Sequence, residues 1–188
     1  MDGLNGISGL HGVVAGVTFA IAGQLSGLPW LLAVGAVLAA AFAGFLPWNL
    51  SGRLIFLGDV GSYLLGGAVA ATSLAALLAG VPVLATIGPM ILYFGDSATT
   101  LVTRVRAGET WYEPHKEHAY QRINQAGFSH LGASLIVAGM SAVACALGLL
   151  SYAIPAPYWW LLLLAGIALT ALYLAIPGRL EKRHARVA

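Results

Sequence analysis

The chain has little charge and almost no cysteine. Of its 188 residues, 9% are charged and 59% are hydrophobic, whereas soluble domains carry roughly 25% charged residues. The mean hydropathy is +0.85. A single cysteine, Cys145, excludes an internal disulfide framework. The net charge of +2, without a Lys/Arg-rich tract, argues against a nucleic-acid partner, and the opening residues do not resemble a signal peptide. These absences exclude a soluble domain and indicate a protein of the lipid bilayer.

Six apolar runs are separated by connections that alternate in charge. The runs cover residues 13–26, 30–46, 63–80, 83–101, 131–151 and 158–176. Apart from the short first run, each approaches the ~20 residues of a membrane-spanning helix. The connections after the first, third and fifth runs carry no charge, whereas the other connections and the C-terminal tail do. Because Lys and Arg favour the cytoplasmic side, we predict an all-α polytopic membrane protein with about six transmembrane helices, both termini cytoplasmic, and one membrane domain over residues 1–188.

The first candidate site is an acidic, glycine-rich turn beside the third run, FLGDVGS at residues 56–62. A carboxylate at a membrane surface is costly, so Asp59 is a site candidate. Small residues allow close approach of a ligand, and a helix beginning near Ser62 would direct its positive end toward an anion. A divalent cation bound to phosphate fits this arrangement. The alternative is that Asp59 is an N-cap of that helix.

The second candidate site is the long polar stretch at residues 104–122, which contains Arg104, Arg106, His115, Lys116, His118 and Arg122. Its cationic groups suit phosphate oxygens, which arginine binds in bidentate fashion. If the segment is helical, the two histidines and Arg122 share one face. For Arg104 and Arg106 the alternative is a basic patch that binds anionic headgroups. A zinc site is the other alternative, although a third ligand is not evident.

Further polar residues lie at the predicted cytoplasmic face. Asp2 could share a magnesium ion with Asp59, since magnesium takes carboxylate oxygens and substrate phosphates; the alternative is a solvated terminus. Asp96 either anchors a neighbouring helix by hydrogen bonding or lines the same cavity. His11 and His130 are interpreted as packing or interfacial residues.

Together these segments resemble the polyprenyl-phosphate N-acetylhexosamine-1-phosphate transferases, a family within glycosyltransferase family 4. The resemblance rests on MDGLNGISG at residues 1–9, GDVGS at 58–62, and the histidine loop WYEPHKEHAYQR at 111–122. The form of this loop, and DSAT at residues 96–99 followed by Arg104, are similar to the O-antigen-initiating subgroup, which serves lipopolysaccharide synthesis. The resemblance covers nearly the whole chain.

The resemblance implies transfer of a sugar-1-phosphate from a UDP-N-acetylhexosamine to a polyprenyl phosphate such as undecaprenyl phosphate, with release of UMP. It implies Mg²⁺ as cofactor and a bacterial inner membrane with the active face cytoplasmic. The resemblance also implies two groups of site residues. The catalytic group is Asp2, Asp59, His115 and His118, with Asp2 and Asp59 on the metal, and the substrate-binding group is Asn5, Asp96, Arg104, Lys116 and Arg122.

Two features depart from the family pattern. The family's earlier acidic pair and the helices before Asp2 have no counterpart here, so the chain is expected to be the C-terminal portion of a larger fold. Asn5 stands where many relatives carry a second Asp, which weakens a metal-binding role for this residue. A catalytically incomplete fragment, or a non-catalytic subunit with the same fold, therefore stays open. The sugar, the polysaccharide pathway and the oligomeric state, with a homodimer as one option, are undetermined by sequence.

Overall fold

The computed structural model describes residues 3–51, 55–108 and 118–184, with side chains described as far as Leu180. Within these residues the structure is helical and contains no strand. The α-helices are α1 (Ile7–Ser26), α2 (Pro29–Leu50), α3 (Gly58–Leu78), α4 (Val83–Ile87), α5 (Ile91–Ala107), α6 (Ala119–Gln125), α7 (His130–Leu149) and α8 (Trp159–His184). Two short 3₁₀ helices, Leu150–Tyr152 and Ala156–Tyr158, connect α7 to α8.

Five of the described helices are long and apolar enough to cross a membrane: α1, α2, α3, α7 and α8. This confirms the all-α polytopic class. The fourth predicted span, residues 83–101, is not one helix, because α4 ends at Ile87 and α5 begins at Ile91. Pro89 lies in the break; it lacks a backbone N–H, and its ring disfavours a continuous helix. Of the about six predicted transmembrane helices, the described residues thus contain five as continuous helices and one as a segment broken after Ile87.

The first span is longer than the sequence predicted. It begins at Ile7 rather than at residue 13, so α1 has 20 residues and reaches the length of a span. Polar and small residues such as Ser8 and His11 interrupt the apolar run, yet they are buried within the bundle. The sequence analysis placed the start of this span too late, because these polar and small side chains face neighbouring helices rather than lipid.

Helices α1 and α2 form a hairpin whose backbones touch. A Cβ atom added at Gly16 would lie 2.4 Å from the backbone N of Ala39, and one at Gly35 would lie 2.3 Å from that of Ala20. Small residues allow membrane helices to approach closely enough for van der Waals packing along their length. The glycines therefore fix the spacing of the hairpin.

Each end of the helix bundle has its own set of polar contacts. At one end, the Tyr152 hydroxyl lies 2.6 Å from the Ser26 hydroxyl and donates a hydrogen bond to the carbonyl of Ala22, at 3.2 Å. At the other end, the turn before α1 contacts the first turn of α7, where Ser134 donates to the carbonyl of Asn5 at 3.0 Å. The uncharged α1–α2 and α7–α8 connections thus lie at one end and the motif-bearing segments at the other.

The motif-bearing end has its own apolar core. Buried side chains from the turn before α1 and from α1, α5, α6, α7 and α8 meet there; among them are Leu4, Ile7, Tyr93, Ile123 and Tyr173. The short helix α6 is held by this core through its buried Ala119, Tyr120 and Ile123. Burial on this scale fixes α6 against α7 and α8, which positions the residues described next.

Candidate functional site

The carboxylate of Asp96 lies at the junction of α5, α6 and α8. The side chain is buried, with 3% of its surface exposed. One oxygen, Oδ1, accepts a hydrogen bond from the backbone N–H of Ala119 at 3.1 Å, and Oδ2 accepts one from the Tyr173 hydroxyl at 3.2 Å. A buried carboxylate needs such partners. Both roles left open by the sequence are therefore present: Asp96 anchors neighbouring helices by hydrogen bonding, and it lines the cavity described below.

His118 lies directly before α6 and beside Asp96. Its backbone is extended, with φ −61° and ψ 147°, and it serves as the N-cap residue of α6. Its Nδ1 atom is 3.6 Å from Asp96 Oδ1, and its ring stacks on that of Tyr120 at a centroid distance of 5.5 Å. The sequence predicted that His115, His118 and Arg122 would share one face if their segment were helical. This is wrong for His118, which lies before the helix, because α6 begins only at Ala119.

A cavity of about 380 Å³ opens beside this junction. Polar and charged side chains dominate its lining: Asp96, Thr99, Thr100, Thr103, Arg104 and Arg122. Arg104 is buried and Arg122 is half-buried. Two guanidinium groups and three hydroxyl groups in one cavity can bind the oxygens of a phosphate-bearing ligand.

The structure distinguishes the two arginines of α5. Arg104 is buried and lines the cavity, whereas Arg106, two residues later on the helix, is exposed. Residues two apart on a helix do not share a face. The headgroup-patch alternative therefore fits Arg106, and the cavity site fits Arg104.

The turn before α1 is held by Asn49, which the sequence interpretation missed. Asn49 is buried near the end of α2; its Oδ1 accepts a hydrogen bond from the N–H of Gly6, and its Nδ2 donates to the carbonyl of Ile55 at 2.8 Å. It thus joins the first motif to the segment that leads into α3. A lone asparagine that follows a long apolar run was the available signal, because such a residue needs buried partners.

Asn5 is fixed through its backbone. Its N–H donates to His130 Nδ1 at 3.4 Å, and its carbonyl accepts from Ser134. Its side-chain Oδ1 is buried and has no hydrogen-bond partner among the described residues. His130 is exposed and His11 is buried against the ring of Tyr93, at a centroid distance of 4.4 Å, so both match the packing or interfacial interpretation.

Asp59 is exposed in the first turn of α3. The helix begins at Gly58 rather than near Ser62, and its N-cap residue is Leu57, so the N-cap alternative for Asp59 is wrong. Gly58 has φ +69°, which favours glycine at this position. The carboxylate is thus presented to solvent beside the positive end of a helix.

The described residues offer oxygen donors for magnesium but no complete protein cage. Among them, no group of three or more His, Cys, Asp or Glu side chains lies close enough together to hold a metal ion. Magnesium does not require one, since it keeps waters and binds through one or two carboxylates and substrate phosphates. The exposed Asp59 carboxylate and the unpartnered Asn5 oxygen fit that chemistry. Asp2, His115 and Lys116 lie outside the described residues, so their roles stay predictions.

Comparison with known proteins shows similarity to one family. The glycosyl transferase family 4 model matches residues 1–77. A probable undecaprenyl-phosphate N-acetylglucosaminyl 1-phosphate transferase of Bacillus subtilis is 28% identical over 140 residues, which is 73% of this chain and 39% of that protein. A decaprenyl-phosphate N-acetylglucosaminephosphotransferase of Mycobacterium tuberculosis is 35% identical over 118 residues, 55% of this chain and 29% of that protein. The chain is thus similar to glycosyl transferase family 4 over its first 77 residues and to polyprenyl-phosphate sugar-phosphate transferases over a longer stretch.

A third relative is named for the transfer of a different group. A phospho-N-acetylmuramoyl-pentapeptide-transferase of Paenarthrobacter aurescens is 44% identical over 68 residues, 32% of this chain and 18% of that protein. The matched part covers less than two fifths of each of these three relatives. No solved structure matches the chain. The resemblance drawn from the motifs is thus confirmed at the level of the family.

Proposed function

We propose that the chain takes part in transfer of an N-acetylhexosamine-1-phosphate from a UDP-sugar to a polyprenyl phosphate, at the cytoplasmic face of a bacterial plasma membrane. The observation that carries the proposal is the cavity between α5, α6 and α8, where Arg104 and Arg122 meet beside His118. Similarity to family 4 supports the reaction class, and the excess of Lys and Arg in alternate connections supports the orientation.

The cavity supplies what phosphoryl transfer needs most. Two anionic substrates repel each other, so catalysis depends on neutralising charge and on holding the reacting groups in place. Arg104 and Arg122 provide fixed positive charge, and the hydroxyl groups of Thr99, Thr100 and Thr103 provide neutral donors. His118 borders this region and can donate or accept a proton at its imidazole.

Magnesium belongs to the proposal as the cofactor. Asp59 would hold it, together with Asp2 as predicted from the family motif, and the bound ion would supply charge neutralisation on the diphosphate. Asn5 Oδ1 is a further oxygen donor in the first motif.

A membrane-facing groove supports a lipid as the second substrate. A second cavity of about 460 Å³ lies between α5 and α8 and shares Thr99 and Leu174 with the arginine-lined cavity. The rest of its lining is mainly apolar and includes Ile91, Phe94 and Ile167. A phosphate in the polar cavity could therefore carry a hydrocarbon chain into the adjoining groove.

The test compares two arginines on one helix. Membranes that contain the protein are incubated with UDP-N-acetylglucosamine and undecaprenyl phosphate, and UMP and the lipid product are measured. We expect Arg104→Ala to abolish most transfer and Arg104→Lys to restore part of it, while Arg106→Ala, the matched control, stays near the unchanged protein. Equal losses for both alanine variants would favour a general headgroup patch. Complete inactivity of the unchanged chain with every UDP-N-acetylhexosamine would favour the catalytically incomplete alternative.

A further inference from the structure

Asp96 connects three elements through one carboxylate. It belongs to α5, yet its bonds go to the first residue of α6 and to Tyr173 of α8. The carboxylate adds to the capping box of α6, in which His118 is the N-cap residue and its backbone N–H donates to Gln121 Oε1 at 3.3 Å. A negative charge at a helix N-terminus is favourable. Asp96 therefore helps to hold the first turn of α6 in place.

The same carboxylate also faces the imidazole of His118. Oδ1, which accepts from Ala119, lies 3.6 Å from His118 Nδ1. The ring is held on its flat side by Tyr120, to which it is nearly parallel at 6°. A carboxylate beside one ring nitrogen favours the proton on that nitrogen and thereby sets the role of the other. Stacking and charge together leave the ring little freedom.

Both oxygens of Asp96 already have partners within the protein. Tyr173 occupies Oδ2, and Ala119 and His118 share Oδ1. The arginines of the cavity, by contrast, carry the charge that suits an anionic ligand. A carboxylate in direct contact with a phosphate would also be repelled by it.

We propose that Asp96 is a positioning residue rather than a substrate ligand: it orients the His118 imidazole and helps to hold the first turn of α6, which carries Arg122 one turn later. The inference rests on the proposed function for the contribution to transfer, but the orientation of His118 does not depend on it. It replaces the substrate-binding role that the sequence suggested for Asp96.

The kinetic test uses Asp96→Asn. The amide keeps an oxygen for the N–H of Ala119 and a polar group for Tyr173, so the cap of α6 is retained, whereas the charge that faces His118 is lost. We expect kcat to fall roughly 10²-fold, the effect of misplacing a catalytic group, with both KM values within about threefold. A capping role alone would leave kcat near normal. A large rise in KM with unchanged kcat would mean that Asp96 contacts substrate, and would overturn the proposal.

The hydroxyl groups of Tyr173 and Tyr152 offer a matched pair of variants. Tyr173→Phe removes one bond to Asp96, and we expect a smaller loss of kcat, about 3- to 10-fold, because Ala119 still holds the carboxylate. Tyr152→Phe removes a comparable hydroxyl at the opposite end of the bundle, where it contacts Ser26 and Ala22. It should leave kcat unchanged. Equal effects of the two variants would assign them to general stability and contradict the proposal.

A spectroscopic arm separates this proposal from the proposed function. The protein is labelled with ¹⁵N-histidine in lipid nanodiscs at pH 8, and the His118 signals are assigned by comparison with His118→Gln. We expect the ¹⁵N shifts of the His118 ring nitrogens to change in Asp96→Asn, because the charge that faces Nδ1 is lost. Identical ¹⁵N shifts in the two proteins would refute the orientation by Asp96, whether or not the chain transfers sugar phosphate. Absence of transfer with the expected shifts would refute only the proposed function.

Discussion

Replacing Gly35 by alanine would place a methyl group inside the contact between α1 and α2. The new Cβ would lie 2.3 Å from the N atom of Ala20 and 2.6 Å from the carbonyl oxygen of Gly16. Ordinary contacts begin near 3.4 Å. Because both neighbours are backbone atoms, no side chain can rotate away, and the helices must separate by about 1 Å or distort. Overpacking of this kind costs about 1–3 kcal/mol, and we expect the upper part of that range.

Gly44, on the same helix, provides the control. A Cβ at this position would meet nothing within 4 Å, so Gly44→Ala should stabilise the protein by about 0.5–1 kcal/mol through helix propensity. Both variants are unfolded by denaturant in detergent micelles, and their midpoints are compared with that of the unchanged protein. If Gly35→Ala were as stable as Gly44→Ala, the backbones of α1 and α2 would not be in contact, and the reasoning would be refuted.

Three further predictions concern the motif-bearing end. Asp59→Asn should abolish magnesium-dependent UMP release while membrane insertion stays intact; full activity would leave Asp59 without a role at the metal. His118→Ala and His115→Ala should lower turnover far more than they lower Tm, and normal turnover in both would restore the headgroup-patch alternative. Asn49→Leu removes a buried acceptor and donor at Gly6 and Ile55, so it should cost about 1–3 kcal/mol of unfolding free energy; unchanged stability would contradict those hydrogen bonds.

The membrane class and most helices could be predicted because hydrophobic length is a local property of sequence. The exceptions are instructive. Pro89 breaks the predicted span at residues 83–101, whereas Pro47 and Pro177 lie inside α2 and α8. A proline alone therefore does not settle a helix boundary, since neighbouring groups decide whether the lost hydrogen bond is tolerated. The Gly88-Pro89 pair was the stronger signal for a break.

The candidate site was predictable in its chemistry but not in its geometry. The motifs identified Arg104, Arg122 and His118, and the structure brings them to one region. The partners of Asp96, by contrast, lie 23 and 77 residues away in sequence. Periodicity within one helix contains no information about such contacts. For the same reason Asn49 escaped notice, because its role depends on Gly6, 43 residues earlier.

The hairpin of α1 and α2 has a consequence for how the chain enters the bilayer. Of the five candidate spans, α1 has the lowest mean hydropathy and the largest buried share, whereas α2 is far more apolar and faces mainly outward. A translocon sorts each segment by its own transfer free energy, so α2 should partition into lipid unaided, while α1, with its polar face uncovered, should do so poorly. We therefore expect α1 to be retained in the bilayer only once α2 has emerged from the ribosome and covered its glycine face. Biogenesis would then depend on the order of synthesis as well as on composition.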